Sequence, residues 1–253
     1  MTDKTPRPTL DSLWNATPPG PEAGPFSSRL LADLPEPARR YFEHAIKDGT
    51  PTATRGRIRM HGRMLAGRWL PLKAEQVIDS HQGFVWKARV GWGPLSLRGT
   101  DFYFDGAGSV NFKLFGLIPF VRAEGPDVSR SSIGRVLNES VLVPSALLPQ
   151  HGVSWEAPDE DHAVATLTLG QETARLNLTL AGDGSLRDAW LMRWGNPDHG
   201  PFCYVEFGVL VEAERTFDGY TIPAQMRAGW WYGTDRFSQG EFFRATIDEA
   251  VFR

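Results

Sequence analysis

The sequence predicts a mainly β fold: one large curved antiparallel sheet, an open or partial β-barrel, with an N-terminal helix and a mid-chain helical insertion. Three observations carry this expectation. From residue 54 onward, apolar residues recur mostly with a period of two. Asp105-Gly106, Asp183-Gly184 and Asp218-Gly219 punctuate the runs, and Asp and Gly tolerate the positive φ of a hairpin turn. Strands and helices do not alternate, and no fixed-period repeat is present, which argues against an α/β nucleotide fold.

Residues 1–33 are rich in Pro, Gly and Ser. Proline removes backbone donors, and the stretch offers little apolar surface. It is expected to be a flexible or draped arm, with Trp14 as its anchor, leaving 34–253 as a single β-rich domain. "LPEPARRYFEHAIKDGT" is the clearest helix. Pro37 suits its first turn, and Ala38, Tyr41, Phe42, Ala45 and Ile46 fall on one face. Gly49 suits a left-handed residue beyond its end.

"RIRMHG" opens the strands, with Ile58 and Met60 on one face and Arg57, Arg59 and His61 on the other. "WLPLKAEQVI", "GFVWKARV", "SLRGTDFYF", "SVNFKLFG" and "LIPFVRAEG" continue a meander. "DVSRSSIGRVLNESVLVP" interrupts it: Ile133, Val136, Leu137, Ser140 and Val141 have helical spacing, with Asp127 or Ser129 as the cap and Pro144 as the stop. Strands resume from "GVSWEA" to the final "EFFRATIDEAVF". Roughly ten to twelve strands are expected on this pattern.

Composition bounds the function. The chain has 253 residues, enough to bury a sizeable core, and its net charge of −3 gives no pull toward nucleic acid. Cys203 is the only cysteine, so there is no internal disulfide and no Cys-rich zinc site. None of the six histidines has H-x-H or H-E-x-x-H spacing, so neither metal nor cofactor is expected. No secretory signal or spanning segment is read, and the expected location is the cytoplasm. The oligomeric state is not legible.

Nine Trp and 15 Phe stand out. Large aromatics fill cores and line small-molecule sites. The candidate lining set is Trp69, Trp86, Phe104, Phe115, Trp194, Trp230 and Trp231. Trp231 is favoured, because on a strand its own-face neighbours would be Gly229 and Gly233. Polar candidates are Arg193, Asp198 and His199 in the loop "RWGNPDHGPF", with Asp235 and Glu139. An Asp-His couple can act as a general base, whereas an Asx-turn would use Asn196 and Asp198 structurally. Arg236 could reach Glu241. The basic run Arg55, Arg57, Arg59, Arg63 and Arg68 is read as an outer face balanced by Glu75 and Asp79. No Gly-x-Ser-x-Gly elbow or phosphate-binding Gly loop is present.

"RIRMHGRMLAGRWLPLKAEQVI", "FGLIPFVRAEGPDVSRSSIGRVLNESVLVPSALLP", "RWGNPD", "FGVLVEAERTFDGYTIPAQMRAGWWYGTDRF" and "GEFFRATI" together resemble an uncharacterised bacterial family known only as a domain of unknown function. The resemblance covers about residues 34–247 and brings no activity with it. It implies a fold similar to the open β-barrel of bacterial lipoprotein carriers. A glycine usually follows Asn-Pro-Asp in that pattern, so His199 is particular to this chain. Two functions follow from these readings: a protein that binds a lipophilic small molecule or lipid, or a cofactor-independent hydrolase, isomerase or cyclase acting on an apolar substrate.

Overall fold

The structure, a computed structural model, describes residues 7–16 and 24–253. Residues 1–6 and 17–23 of the Pro-rich arm lie outside the described residues. Thirteen strands form one antiparallel sheet. They are β1 (Arg55–Ala66), β2 (Arg68–Asp79), β3 (Gly83–Val90), β4 (Leu97–Phe104), β5 (Ala107–Leu114), β6 (Ile118–Glu124), β7 (Ser154–Glu156), β8 (His162–Leu169), β9 (Glu172–Leu180), β10 (Leu186–Gly195), β11 (Cys203–Phe217), β12 (Tyr220–Trp230) and β13 (Glu241–Phe252). Their order is β6-β5-β4-β3-β2-β1-β13-β12-β11-β10-β9-β8-β7. Two meanders are therefore joined at the middle by β13, which lies between β1 and β12. The sheet does not close into a barrel; β6 and β7 are its edges. Asp105 and Asp218 take φ of 50° and 48° in the β4–β5 and β11–β12 hairpins, as the Asp-Gly signals require, whereas at Asp183-Gly184 only the glycine has positive φ, in the longer β9–β10 turn.

Four α-helices and several short 3-10 turns complete the described chain; the α-helices are α1 (Leu10–Trp14), α2 (Glu36–Ala45), α3 (Pro126–Glu139) and the single turn α4 (Phe237–Gly240). The 14 residues of α3 span about 21 Å at 1.5 Å per residue. Yet α3 touches both β5 and β10. Those strands stand eight places apart in the sheet, about 38 Å if it were flat. The sheet must curl around the helix, so α3 lies inside a cup. The core is this concave side, and α2 packs Tyr41 and Phe42 there against Trp155.

The capping expected for α3 is corrected. The helix starts at Pro126, after Gly125 with φ of 119°. Asp127 instead accepts a hydrogen bond from the Trp194 indole, and Ser129 accepts one from the Gly108 amide. Both side chains hold α3 to the sheet rather than to itself.

On the convex side, α1 buries Leu13 against Val77, Val85 and Phe102. The anchor of this segment is thus Leu13 rather than the half-buried Trp14. Arg55 completes the attachment: Nη1 donates to the carbonyls of Trp14 and Ala16 at the end of α1. Its Nη2 also meets the Asp79 carboxylate at 2.5 Å. Arg57 is bonded to Glu75 as expected and also to Asp11, while Arg59 meets Glu249 on β13; Arg63 instead donates to the Trp69 carbonyl, and Arg68 lies over the Trp92 ring. No helix among the described residues is long and apolar enough to cross a membrane.

Candidate functional site

A cavity of about 440 Å³ remains between the concave face and the end of α3. Alternation turns one residue in two toward it over most of the wall, and consecutive residues line it only near its ends, as at Met64–Ala66, Phe120-Val121 and Phe242-Phe243. Met60 and Met64 come from β1, Trp86 from β3, Phe112 from β5, Phe207 from β11 and Phe243 from β13. Val141 and Leu142, in the 3-10 turn after α3, close the roof. Leu65, Phe120 and Val121 also line the space and are exposed to solvent, which places its opening at the β1–β2 turn and strand β6. Methionine adapts its shape to a guest more readily than branched side chains do.

One polar group of side chains interrupts this apolar wall. Arg135 on α3 donates from Nε to Glu139 at 2.7 Å and from Nη1 to Asp101 at 2.6 Å. Glu139 in turn accepts from Gln76 Nε2 at 2.5 Å. The Arg135 guanidinium also covers the Phe84 and Trp86 rings, at 4.3 and 5.2 Å. Burial alone would lower the Arg135 pKa, but Glu139 and Asp101 outweigh it and hold the group above its ordinary range. Burial pushes the Asp101 carboxyl up, against the pull of Arg135 and Arg193.

Arg193 is different. It leaves β10 toward α3, where Nε donates to the Ser131 carbonyl at 2.9 Å. Gly134 makes the approach possible, since a Cβ there would sit 2.8 Å from Arg193 Cγ. The guanidinium lies over Phe207 and Trp230, at 4.5 and 5.0 Å. No carboxylate among the described residues lies within 4.0 Å of it. Burial, followed by the like charge of Arg135, lowers its pKa to about 10, so it stays charged at neutral pH. Its side chain is half-buried because its remaining surface faces the cavity. Three further polar atoms of wall residues are buried without a partner among the described residues: Trp86 Nε1, Asp101 Oδ1 and Asn138 Oδ1.

Of the residues singled out in the sequence, the cavity brings together Trp86, Arg193 and Glu139. The others lie elsewhere. Trp69 and Phe104 alternate outward: Trp69 lies under Arg244 at 4.6 Å, and Phe104 packs in the α1 cluster. Phe115 sits exposed in the β5–β6 turn, with φ of 57°. Trp194 must face away from Arg193, its neighbour on the strand, and it lies beneath Arg130 at 4.3 Å. Trp230 buttresses Phe207 edge-on at 5.1 Å without reaching the cavity wall.

Trp231 is the clearest correction. The strand ends at Trp230, and Trp231 turns to φ of 56°. Its ring lies against Gly240 and beneath Arg236, whose guanidinium is 3.8 Å from the ring centroid. Arg236 therefore does not hold Glu241, which is gripped by Arg227 and Arg244. Asp198, His199 and Asp235 occupy exposed turns and do not converge on the cavity. Sequence reasoning missed Asp101, Arg135, Gln76 and Asn138. Their signal was present but faint: Arg135 and Glu139 are four apart on one helix, and Asn138 interrupts its apolar face.

A family of unknown function, DUF6920, matches residues 32–252, and the chain belongs to it. No protein of curated function matches the sequence. Among solved structures, the chain is similar to a Vibrio parahaemolyticus domain described as an outer-membrane lipoprotein-sorting protein, with TM-score 0.43 and 9% identity over 79% of this chain and 85% of that one. It is also similar to a LolA-superfamily protein of Nitrosomonas europaea, with TM-score 0.42 and 10% identity over 86% and 92%.

Proposed function

We propose that this protein binds a lipophilic small molecule or lipid in the concave cavity. The observation that carries the reading is the cavity itself: about 440 Å³, walled by methionine, aromatic and aliphatic side chains, and open at one end. Small-molecule sites fall in this size range and are lined in this way. An empty apolar space of that size gives up dispersion contacts that a better-packed core would keep, and a guest restores them.

The alternative of cofactor-independent catalysis would draw on Glu139 and Arg193. Glu139 is already engaged through both oxygens, by Arg135 and Gln76. It is not presented as a free base, so binding has the stronger support. Native mass spectrometry of protein purified from its own host tests the reading, with uptake of the neutral dye Nile red as a second readout. A retained lipophilic adduct is expected, and dye fluorescence that Ala228→Trp abolishes by filling the cavity. Absence of both adduct and dye uptake in the folded wild-type protein would sink it.

A further inference from the structure

We infer that the guest carries an anionic head group, a carboxylate or phosphate, held by the two terminal nitrogens of Arg193. This inference rests on the binding function proposed above. Arg193 and Arg135 stand in the same wall, but their partners differ. Each nitrogen of Arg135 has a partner, Glu139 and Asp101 closely and Gln76 at 3.5 Å. Arg193 spends only Nε, on the Ser131 carbonyl, and its two terminal nitrogens make no hydrogen bond to the described residues. A guanidinium fork is shaped for two oxygens of one anion.

The surrounding atoms agree. Phe207 and Trp230 hold the plane of the guanidinium, so its orientation is fixed before a ligand arrives. Trp86 is 3% exposed and lines the cavity beside them, while its indole N–H is buried in the wall without a partner. Leaving the Arg193 terminal nitrogens unpaired in an apolar wall is costly, so a purely hydrocarbon guest would leave the cost standing.

Competition against Nile red tests this with palmitate, dodecyl phosphate and hexadecanol. Either acid should displace the dye at a concentration at least tenfold below that of the alcohol. Their relative strength separates a carboxylate head from a phosphate. In Arg193→Leu the preference should vanish while dye uptake persists. Arg193→Gln, which can still reach Ser131, serves if the leucine variant fails to fold. Equal potency of acid and alcohol, or an unchanged preference in the folded variants, overturns the head-group assignment alone. Failure of every competitor and of the dye overturns the cavity reading itself.

The convex face carries a second, independent inference. Lys73, Arg89, Arg98 and Lys113 are directly opposite one another across β2, β3, β4 and β5. All four are exposed, and none is ion-paired among the described residues. Like charges in register destabilise a sheet, and a chain of net charge −3 has acids to spare for them. At the same end, the turns after β3 and β5 and the first residue of β6 expose Trp92, Phe115, Leu117 and Ile118, with Leu117 79% exposed. Cations around protruding apolar side chains match the charge and depth of a bilayer interface.

We propose that this corner, which adjoins the cavity opening at Phe120 and Val121, docks on an anionic membrane surface. Sedimentation with phosphatidylcholine vesicles, with and without phosphatidylglycerol, reads it. Binding should require the anionic lipid, weaken with salt, and fall about fivefold for each of Arg89, Arg98 and Lys113 changed to Gln. Leu117→Ser should weaken it further. No binding to anionic vesicles at low salt overturns the proposal. So does tighter binding to single-stranded RNA that Leu117→Ser leaves unchanged.

Discussion

Arg55 shows how much one side chain can hold together. It is 1% exposed, faces Asp79 across β1 and β2, and ties the end of α1 to the sheet through two carbonyls. Removing one partner of a buried pair strands the other charge, at a cost of about 3–5 kcal/mol. Arg55→Met should lower unfolding free energy by about that amount in urea titration. Adding Asp79→Asn should recover part of it, because Oδ1 still caps the His81 and Gln82 amides while the stranded charge is gone. Gly134→Ala makes a complementary prediction. Alanine favours the helix by about 1 kcal/mol over glycine, but its Cβ would push Arg193 away from Ser131. Melting temperature should change little while the preference for acids over hexadecanol falls. The pairing of Arg55 and Arg57 with Asp79 and Glu75 was legible in the sequence, because alternation fixes which residues face each other. Trp231 was not. Strand parity applies only while the strand lasts, and no residue type announced that it would end at Trp230.

At the scale of elements, the contacts between turns matter most. The β2–β3 turn brings His81 against His151, which sits in a 3-10 turn beyond α3; the rings are 5.0 Å apart. Burial and then the neighbouring His81 lower the His151 pKa to about 4, and burial lowers His81 despite Asp79. Between the unfolded value of about 6.5 and pH 4, the unfolded chain therefore binds more protons. The stabilisation is complete above about pH 6.5 and is lost as pH falls toward 4. His151→Phe should flatten the pH dependence of unfolding free energy across that window. Glu241 adds an acid limb lower down. Burial would raise its pKa, yet Arg227 and Arg244 hold it below the usual carboxylate value, so its contribution disappears as pH falls through the carboxylate range. Helix positions were legible for α2 and α3, since apolar periodicity is a local property. The cap of α3 was misread, because Asp127 and Ser129 are spent on Trp194 and Gly108, partners far away in sequence.

For the whole molecule, the cup is the consequence of wrapping thirteen strands around one helix. Its antiparallel, open character was legible from alternation and Asp-Gly turns. Its cavity was not, since which aromatics share a wall depends on curvature and on the pairing of β1 with β13. Binding should be visible globally. A ligand present at a hundredfold over its Kd adds about 2.7 kcal/mol, which for a chain of this size should raise the melting temperature by roughly 5–10 °C. Differential scanning with palmitate checks this, and no shift at saturation would contradict the binding function.

The seam between the two meanders has a kinetic meaning. Most neighbours in this sheet are joined by short turns, so each half can zip up through local hairpins. The seam instead brings Gly56 beside Phe252, the most distant pairing in the sheet. Closing so large a loop costs entropy before any contact repays it. Until β13 docks on β1, these two strands are unpaired edges facing each other across a gap, each a template for a strand from another chain. Refolding should therefore be slowest at this seam, and crowding of half-folded molecules should lead to aggregation through it.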